Sequence, residues 1–164
     1  MLRRSGLMLY GAAPTLLGRG TSDSSNDGVL TAMEIARLDL RGLDLAVLSA
    51  CQTALGDVTG EGVFGLQRGF KKAGAKSLLM SLWKVDDYAT CLLMDRFYAN
   101  LVDGMSKHNA LAEAQEYLRN YKAEAQDWSD DEMFDPDFED EQPQDEYPYR
   151  NPQFWSAFVL LDAI

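Results

Sequence analysis

Apolar and polar positions alternate in short blocks along the chain, and the blocks change period in a regular order. Residues 5–12 (SGLMLYGA) predict a short strand. Gly18 to Gly28, rich in Gly, Ser, Asp and Asn, predicts a loop. Thr31-Ala32-Met33-Glu34 has the form of a capping box: the Thr31 hydroxyl covers an exposed helix amide, and the Glu34 carboxylate reaches back to the Thr31 amide. A short helix should follow and end near Arg37 or Leu38. Asp44 to Ala50 (DLAVLSA) is a compact apolar run of the kind that forms a buried parallel strand.

Residues 52–62 carry Gly56, Gly60 and Gly62 and predict a loop. From Glu61 to Ala73 the spacing becomes helical, with Val63, Leu66, Phe70 and Ala73 on one face, and Gly74 is placed to stop the helix. Ala75 to Leu82 predicts a second buried strand. Asp86 or Asp87 can cap the next helix, which should run to about Asp103 and end at Gly104. Ser106 can cap another that reaches about Ala125. Trp155 to Leu161 (WSAFVLL) predicts a last strand. Strand and helix thus alternate for most of the chain. That order predicts an α/β fold with a mainly parallel sheet, helices on its faces and right-handed crossovers.

Charge changes this picture in one place. The chain of 164 residues has a net charge of −11, yet residues 127–146 alone hold 11 acids and no base. The remaining 15 acids are matched by 15 Lys+Arg. No basic face stands out, so nucleic acid is not an expected partner. The acidic stretch has no apolar period and lacks the spacing and central Gly of a calcium hand loop. It predicts a solvated insertion within a single domain spanning 1–164. The apolar runs are too short to span a bilayer, and Met1-Leu2-Arg3-Arg4 is not followed by the apolar stretch of a signal peptide. Two distant cysteines make no disulfide framework. A cytoplasmic protein without membrane attachment is expected.

In an open parallel sheet, sites gather at the carboxyl ends of strands. Three segments bring polar groups there: Cys51 with its loop, the turn Trp83-Lys84-Val85-Asp86-Asp87, and the acidic stretch before the last strand. Cys51 follows a strand and precedes a helix N-terminus, which gives its thiol a route to a lowered pKa. An inert core cysteine is the alternative. Ser49 and Thr53 stand where a nucleophile elbow needs small residues, usually Gly, so a hydrolase-type elbow is disfavoured.

Six blocks in order carry a resemblance. They are Leu48-Ser49-Ala50-Cys51-Gln52-Thr53-Ala54-Leu55-Gly56, Gly60-Glu61-Gly62-Val63-Phe64-Gly65-Leu66, Ala73-Gly74-Ala75-Lys76-Ser77, Ser81-Leu82-Trp83-Lys84-Val85-Asp86-Asp87, Phe97-Tyr98, and Asn151-Pro152 with Trp155-Ser156-Ala157-Phe158. The ordered set resembles the CHAT family, which is similar to caspases and separases and often follows tetratricopeptide repeats. The resemblance implies a caspase-like fold with Cys51 as the nucleophile of a Cys–His dyad. Histidine takes the thiol proton, the thiolate attacks a peptide carbonyl, and the acyl-enzyme is hydrolysed.

In the family that histidine lies in a His-Gly motif, on a strand preceding the region where this sequence starts, and the Gly helps line the oxyanion hole. The one histidine here is His108, in the first turn of a predicted helix, and it reads as a solvated helix residue. The chain is therefore expected to be a C-terminal portion lacking the N-terminal strands, and inactive alone. Those strands would pair beside the Cys51 strand, and without them an edge is left open. Upstream tetratricopeptide repeats or a partner chain are the expected companions.

The resemblance also places Asp86 and Asp87 by the pocket for the residue before the scissile bond, where a carboxylate favours Arg or Lys. A plain helix N-cap is the other reading. Trp83 lines the same pocket or packs in the interior. Gln52 orients substrate or bonds its own loop, and Glu61 either sits near the thiol or is a helix-start acid that needs no further role. Cys91 lies among Leu92, Met94 and Phe97 and predicts a core position. Two Cys and one His without close spacing offer no zinc set, and no metal or cofactor is expected. The first function implied is cysteine endopeptidase action on a protein or peptide substrate. The alternative is a non-catalytic pseudo-peptidase serving as a protein-interaction module.

Overall fold

The computed structural model describes residues 6–10, 12–13, 27–48, 61–123 and 146–162. They fall into two compact units, one made of residues 1–84 with 158–164, the other of residues 85–157.

The first unit contains two sheets. Strands β1 (Gly6–Met8) and β2 (Val29–Thr31) pair antiparallel, with Leu7 opposite Leu30. Thr31 ends β2 and also caps helix α1 (Ala32–Ile35). Its Oγ1 accepts from the Glu34 amide at 3.3 Å, while its own amide donates to Glu34 Oε2 at 2.8 Å, so the capping box forms as the spacing predicts. The helix ends sooner than expected, at Ile35, with Ala36 as its C-cap.

The second sheet has the order β3 (Ala46–Leu48), β4 (Ser77–Ser81), β5 (Phe158–Asp162). Strand β3 runs parallel to β4, and β5 runs antiparallel to it. The expectation of a mainly parallel sheet is thus corrected: among the described strands one pairing is parallel and two are antiparallel. The fold is mixed α/β. Every residue of β4 is buried, as expected of a central strand whose Leu78-Leu79-Met80 run lies between Ser77 and Ser81. The Ser77 hydroxyl donates to Asp162 Oδ1 at 2.8 Å, which pins the β4–β5 register at that end.

Helix α2 (Glu61–Ala73) has the bounds the spacing predicts. Leu66, Phe70 and Ala73 are buried, and Leu66 and Phe70 pack with Ile35, Ala46, Leu78 and Met80 in one core cluster. Gly69 permits a close approach: a Cβ there would lie 2.7 Å from the Ala32 carbonyl oxygen. Gly74 ends the helix at φ +95°, its amide turned back to the Phe70 and Lys71 carbonyls.

The second unit packs helix α3 (Asp87–Val102) against helix α4 (Lys107–Arg119), followed by the short α5 (Pro152–Trp155). The facing sides are Ala89, Leu93, Phe97 and Asn100 on α3, and Ala110, Leu111, Ala114 and Leu118 on α4. Asn100 is buried, and its amide group is satisfied by the Ala110 carbonyl at 3.1 Å and by Glu113. Arg96 grips the same Glu113 in a forked pair, with Nε at 2.9 Å from Oε2 and an Nη at 2.6 Å from Oε1. Helix α4 stops at Arg119 rather than near Ala125, because the Asn120 side chain takes the Glu116 carbonyl at 3.0 Å and the carboxylate as well.

Residues 155–157 do not open the last strand. Trp155 closes α5, which Asn151 caps through its Oδ1 on the Gln153 amide at 3.1 Å, and β5 begins at Phe158. Tyr149 is buried, with ring centroids of Phe154 at 5.3 Å and Tyr121 at 5.8 Å. The Ala123 amide donates to the Glu146 carbonyl at 3.3 Å, joining the two ends of the chain that flank the acidic stretch. Glu146 and Lys122 add an ion pair at 2.6 Å. The rest of the acidic stretch lies outside the described residues, as do most of residues 18–28 and residues 52–60, for which a loop is predicted.

Candidate functional site

Strand β3 ends at Leu48, three residues before Cys51, and its carboxyl end lies beside that of β4, since Leu48 is opposite Met80 in the parallel register. Cys51 and Gln52 themselves lie outside the described residues. What the structure supplies is the neighbouring strand end.

Ser81 is the last residue of β4. It is buried, and its Oγ has no hydrogen-bond partner among the described residues. Leaving a buried hydroxyl unpaired costs on the order of 1–3 kcal/mol, so this one is conspicuous. Sequence reasoning passed over it. The signal was available in part: a serine closes an otherwise apolar run at a strand's carboxyl end. That it lacks a partner is a tertiary fact and could not be read from the chain.

Trp83 follows β4 and is 43% exposed, so of its two predicted settings the buried interior is not the one adopted. Asp86 is the N-cap of α3: its Oδ1 accepts from the Ala89 amide at 2.7 Å, and its carbonyl accepts from the Thr90 amide and hydroxyl. Asp87 sits in the first turn, exposed, where a negative charge meets the positive end of the helix dipole. Both carboxylates thus have a structural role at the helix start. Asp86 also acts on Tyr149: burial first, then the Asp86 charge and Tyr88, push the Tyr149 phenol above its usual range and hold it protonated.

His108 is exposed in the first turn of α4, as expected. Cys91 is also exposed, and its predicted core position is corrected. The buried stripe of α3 runs through Ala89, Leu93 and Phe97. Cys91 is two residues from Leu93, about 200° around a helix, and points away from that stripe. Among the described residues no group of His, Cys, Asp or Glu is arranged to hold a metal ion, and no helix is long and apolar enough to cross a membrane.

The model of the CHAT domain family matches residues 1–163. The chain belongs to the CHAT domain family. Among curated proteins, tetratricopeptide repeat protein 28 of Mus musculus is 38% identical over 96 residues, covering 58% of this chain and 4% of that protein. Tetratricopeptide repeat protein 28 of Homo sapiens is 32% identical over 135 residues, covering 82% of this chain and 4% of that protein. The CHAT chain therefore spans about 4% of the length of the curated relatives it matches. No solved structure matches it.

Proposed function

We propose that this CHAT chain is the nucleophile-bearing portion of a caspase-like cysteine endopeptidase. Cys51 attacks the scissile carbonyl, and the base is a histidine supplied from outside residues 1–164. The family match over 1–163 carries this reading. Two structural features support it. Strand β3 leads to Cys51 from a parallel pair, the setting in which sites collect at carboxyl ends. The buried Ser81 hydroxyl at the adjacent strand end has no hydrogen-bond partner among the described residues.

In this mechanism the histidine withdraws the Cys51 proton. The thiolate adds to the peptide carbonyl, and the amine leaves with that proton. Water then releases the acyl group and restores the thiol. Gln52 and Trp83 flank the substrate, and Asp86 and Asp87 favour Arg or Lys before the scissile bond. Tetratricopeptide repeats preceding the chain, as the names of its relatives suggest, present the protein substrate.

The test is turnover of fluorogenic peptides with Arg or Lys at that position. A longer protein including the preceding sequence should cleave them, Cys51→Ala should abolish cleavage, and residues 1–164 alone should be inactive. Turnover that survives Cys51→Ala sinks the reading. So does an open reading frame that truly begins at Met1.

A second reading, a non-catalytic interaction module, draws on the one histidine of the chain, His108, which is exposed in the first turn of α4. It predicts that Cys51→Ala changes no function of the longer protein.

A further inference from the structure

Helix α3 carries apolar residues on two faces. One face, with Ala89, Leu93, Phe97 and Asn100, packs on α4. The other holds Met94, Tyr98, Leu101 and Val102. At about 100° per residue these four share an arc of roughly 100°, turned roughly 130° from the packed face. Gly104 then turns the chain at φ +87°, and the Met105 amide donates back to the Asn100 carbonyl at 3.0 Å, which keeps Met105 at the end of α3.

This second face is largely uncovered. Val102 is 86% exposed, Tyr98 46% and Met105 42%, while Met94 and Leu101 are half-buried. A contiguous apolar strip of that kind marks an interaction surface. No basic side chain on it is free to meet an anionic membrane: Asp95 adjoins the strip, and Arg96 is engaged by Glu113.

The fold of the unit indicates what fits there. Helices α3 and α4, of 16 and 13 residues, are joined by the turn 103–106. The contacts of Asn100 with Ala110 and of Arg96 with Glu113 show that they run antiparallel. A helical hairpin of about 34 residues is the unit of a tetratricopeptide array, and such a unit leaves an apolar face that only a neighbouring hairpin covers. The α3–α4 hairpin has that size, and the face it leaves is the strip from Met94 to Met105.

We infer that this strip is the docking surface for the last helical hairpin of a tetratricopeptide array, on which α3 and α4 stack as one further unit. The inference rests on the proposal that such repeats precede the chain, and it gives them a contact that does not involve Cys51. Tyr98 and Val102 enter the grooves of the partner helix, and Leu101 and Met105 fill the seam beside them.

Hydroxyl-radical footprinting read by mass spectrometry tests this on two proteins, residues 1–164 alone and the longer protein with its preceding sequence. Tyr98 and Met105 should be modified roughly threefold or more slowly in the longer protein, because the centre of an interface excludes solvent. Tyr117, 38% exposed on α4, is the internal control and should not change. Val102→Glu should return Tyr98 and Met105 of the longer protein to the rates of the short one. Since Val102 is so exposed, the same substitution should leave the urea midpoint of residues 1–164 unchanged. Cys51→Ala should leave the protection intact, so docking and turnover are read separately. Protection without peptide cleavage sinks the peptidase reading and supports this one. Equal modification of Tyr98 in the two proteins overturns the inference, even where cleavage is seen. A preceding sequence without helical repeats overturns it too, as does a dimer of residues 1–164 that Val102→Glu dissociates, since a second copy then takes the face.

Discussion

Arg96 and Glu113 face each other from α3 and α4 as a two-pronged pair, and the same carboxylate receives the amide of buried Asn100. One acidic side chain therefore satisfies a charge at the surface and a polar group in the helix interface. The hydrogen bonds from Arg96, then that from Asn100, hold the Glu113 carboxyl below its ordinary value of 4.5.

A carboxyl with a lowered folded-state pKa stabilises the fold above its unfolded value and loses that contribution as pH falls through the folded one. The chain should thus be most sensitive to Glu113→Gln well above pH 4.5, and the difference in unfolding midpoint should shrink as the medium is acidified below it. Urea denaturation at a series of pH values measures this. A difference independent of pH would remove the charged form of Glu113 from the account.

Gly69→Ala should destabilise the first unit by about 1–3 kcal/mol, since the added methyl meets backbone rather than a movable side chain. Gly42→Ala is the matched control, with nothing within 4 Å of its Cβ, and should change stability by less than about 0.5 kcal/mol. Equal effects from the two would show that α1 can shift away from α2.

Asp86 separates capping from substrate recognition. Asp86→Asn retains a capping side chain, so stability should hold, whereas Asp86→Ala should cost about 1 kcal/mol. If the carboxylate also favours basic substrates, Asp86→Asn in the longer protein should lower kcat/KM for Arg peptides but not for neutral ones. Loss of stability in Asp86→Asn equal to that in Asp86→Ala would contradict the capping geometry.

Cys91 should react with iodoacetamide in the folded protein, because it is exposed. Cys91→Ser should leave stability within about 0.5 kcal/mol of the parent. Peptide mapping after alkylation checks the first point and also makes any Cys51 reactivity legible. A Cys91 that stays unmodified until the protein is unfolded would place it back in the interior.

Local chemistry was readable where one segment determines its own conformation. The Thr31–Glu34 box, the α2 bounds closed by Gly74, and the caps at Asp86 and Ser106 all depend on neighbours within a few residues. Strand β2 was missed because three residues are too few to show a period, and its partner β1 is distant in sequence. The antiparallel entry of β5 depends on the path the chain takes through α5, not on the apolar run of β5 itself. Cys91 was misplaced by counting apolar neighbours rather than angles. Ser81 was overlooked because a missing partner is visible only in three dimensions. Cys51 and Gln52 were singled out by residue order and family resemblance, and their geometry lies outside the described residues.

The hydrogen bond from Ala123 to Glu146 has a use for the protein engineer. Two chain ends already held together form a splice point. Doubling the length that joins them should cost only about 0.6 kcal/mol in closure entropy. A fluorescent domain or an affinity tag grafted there should leave the helices on either side in register, making this the natural position for a reporter within the chain.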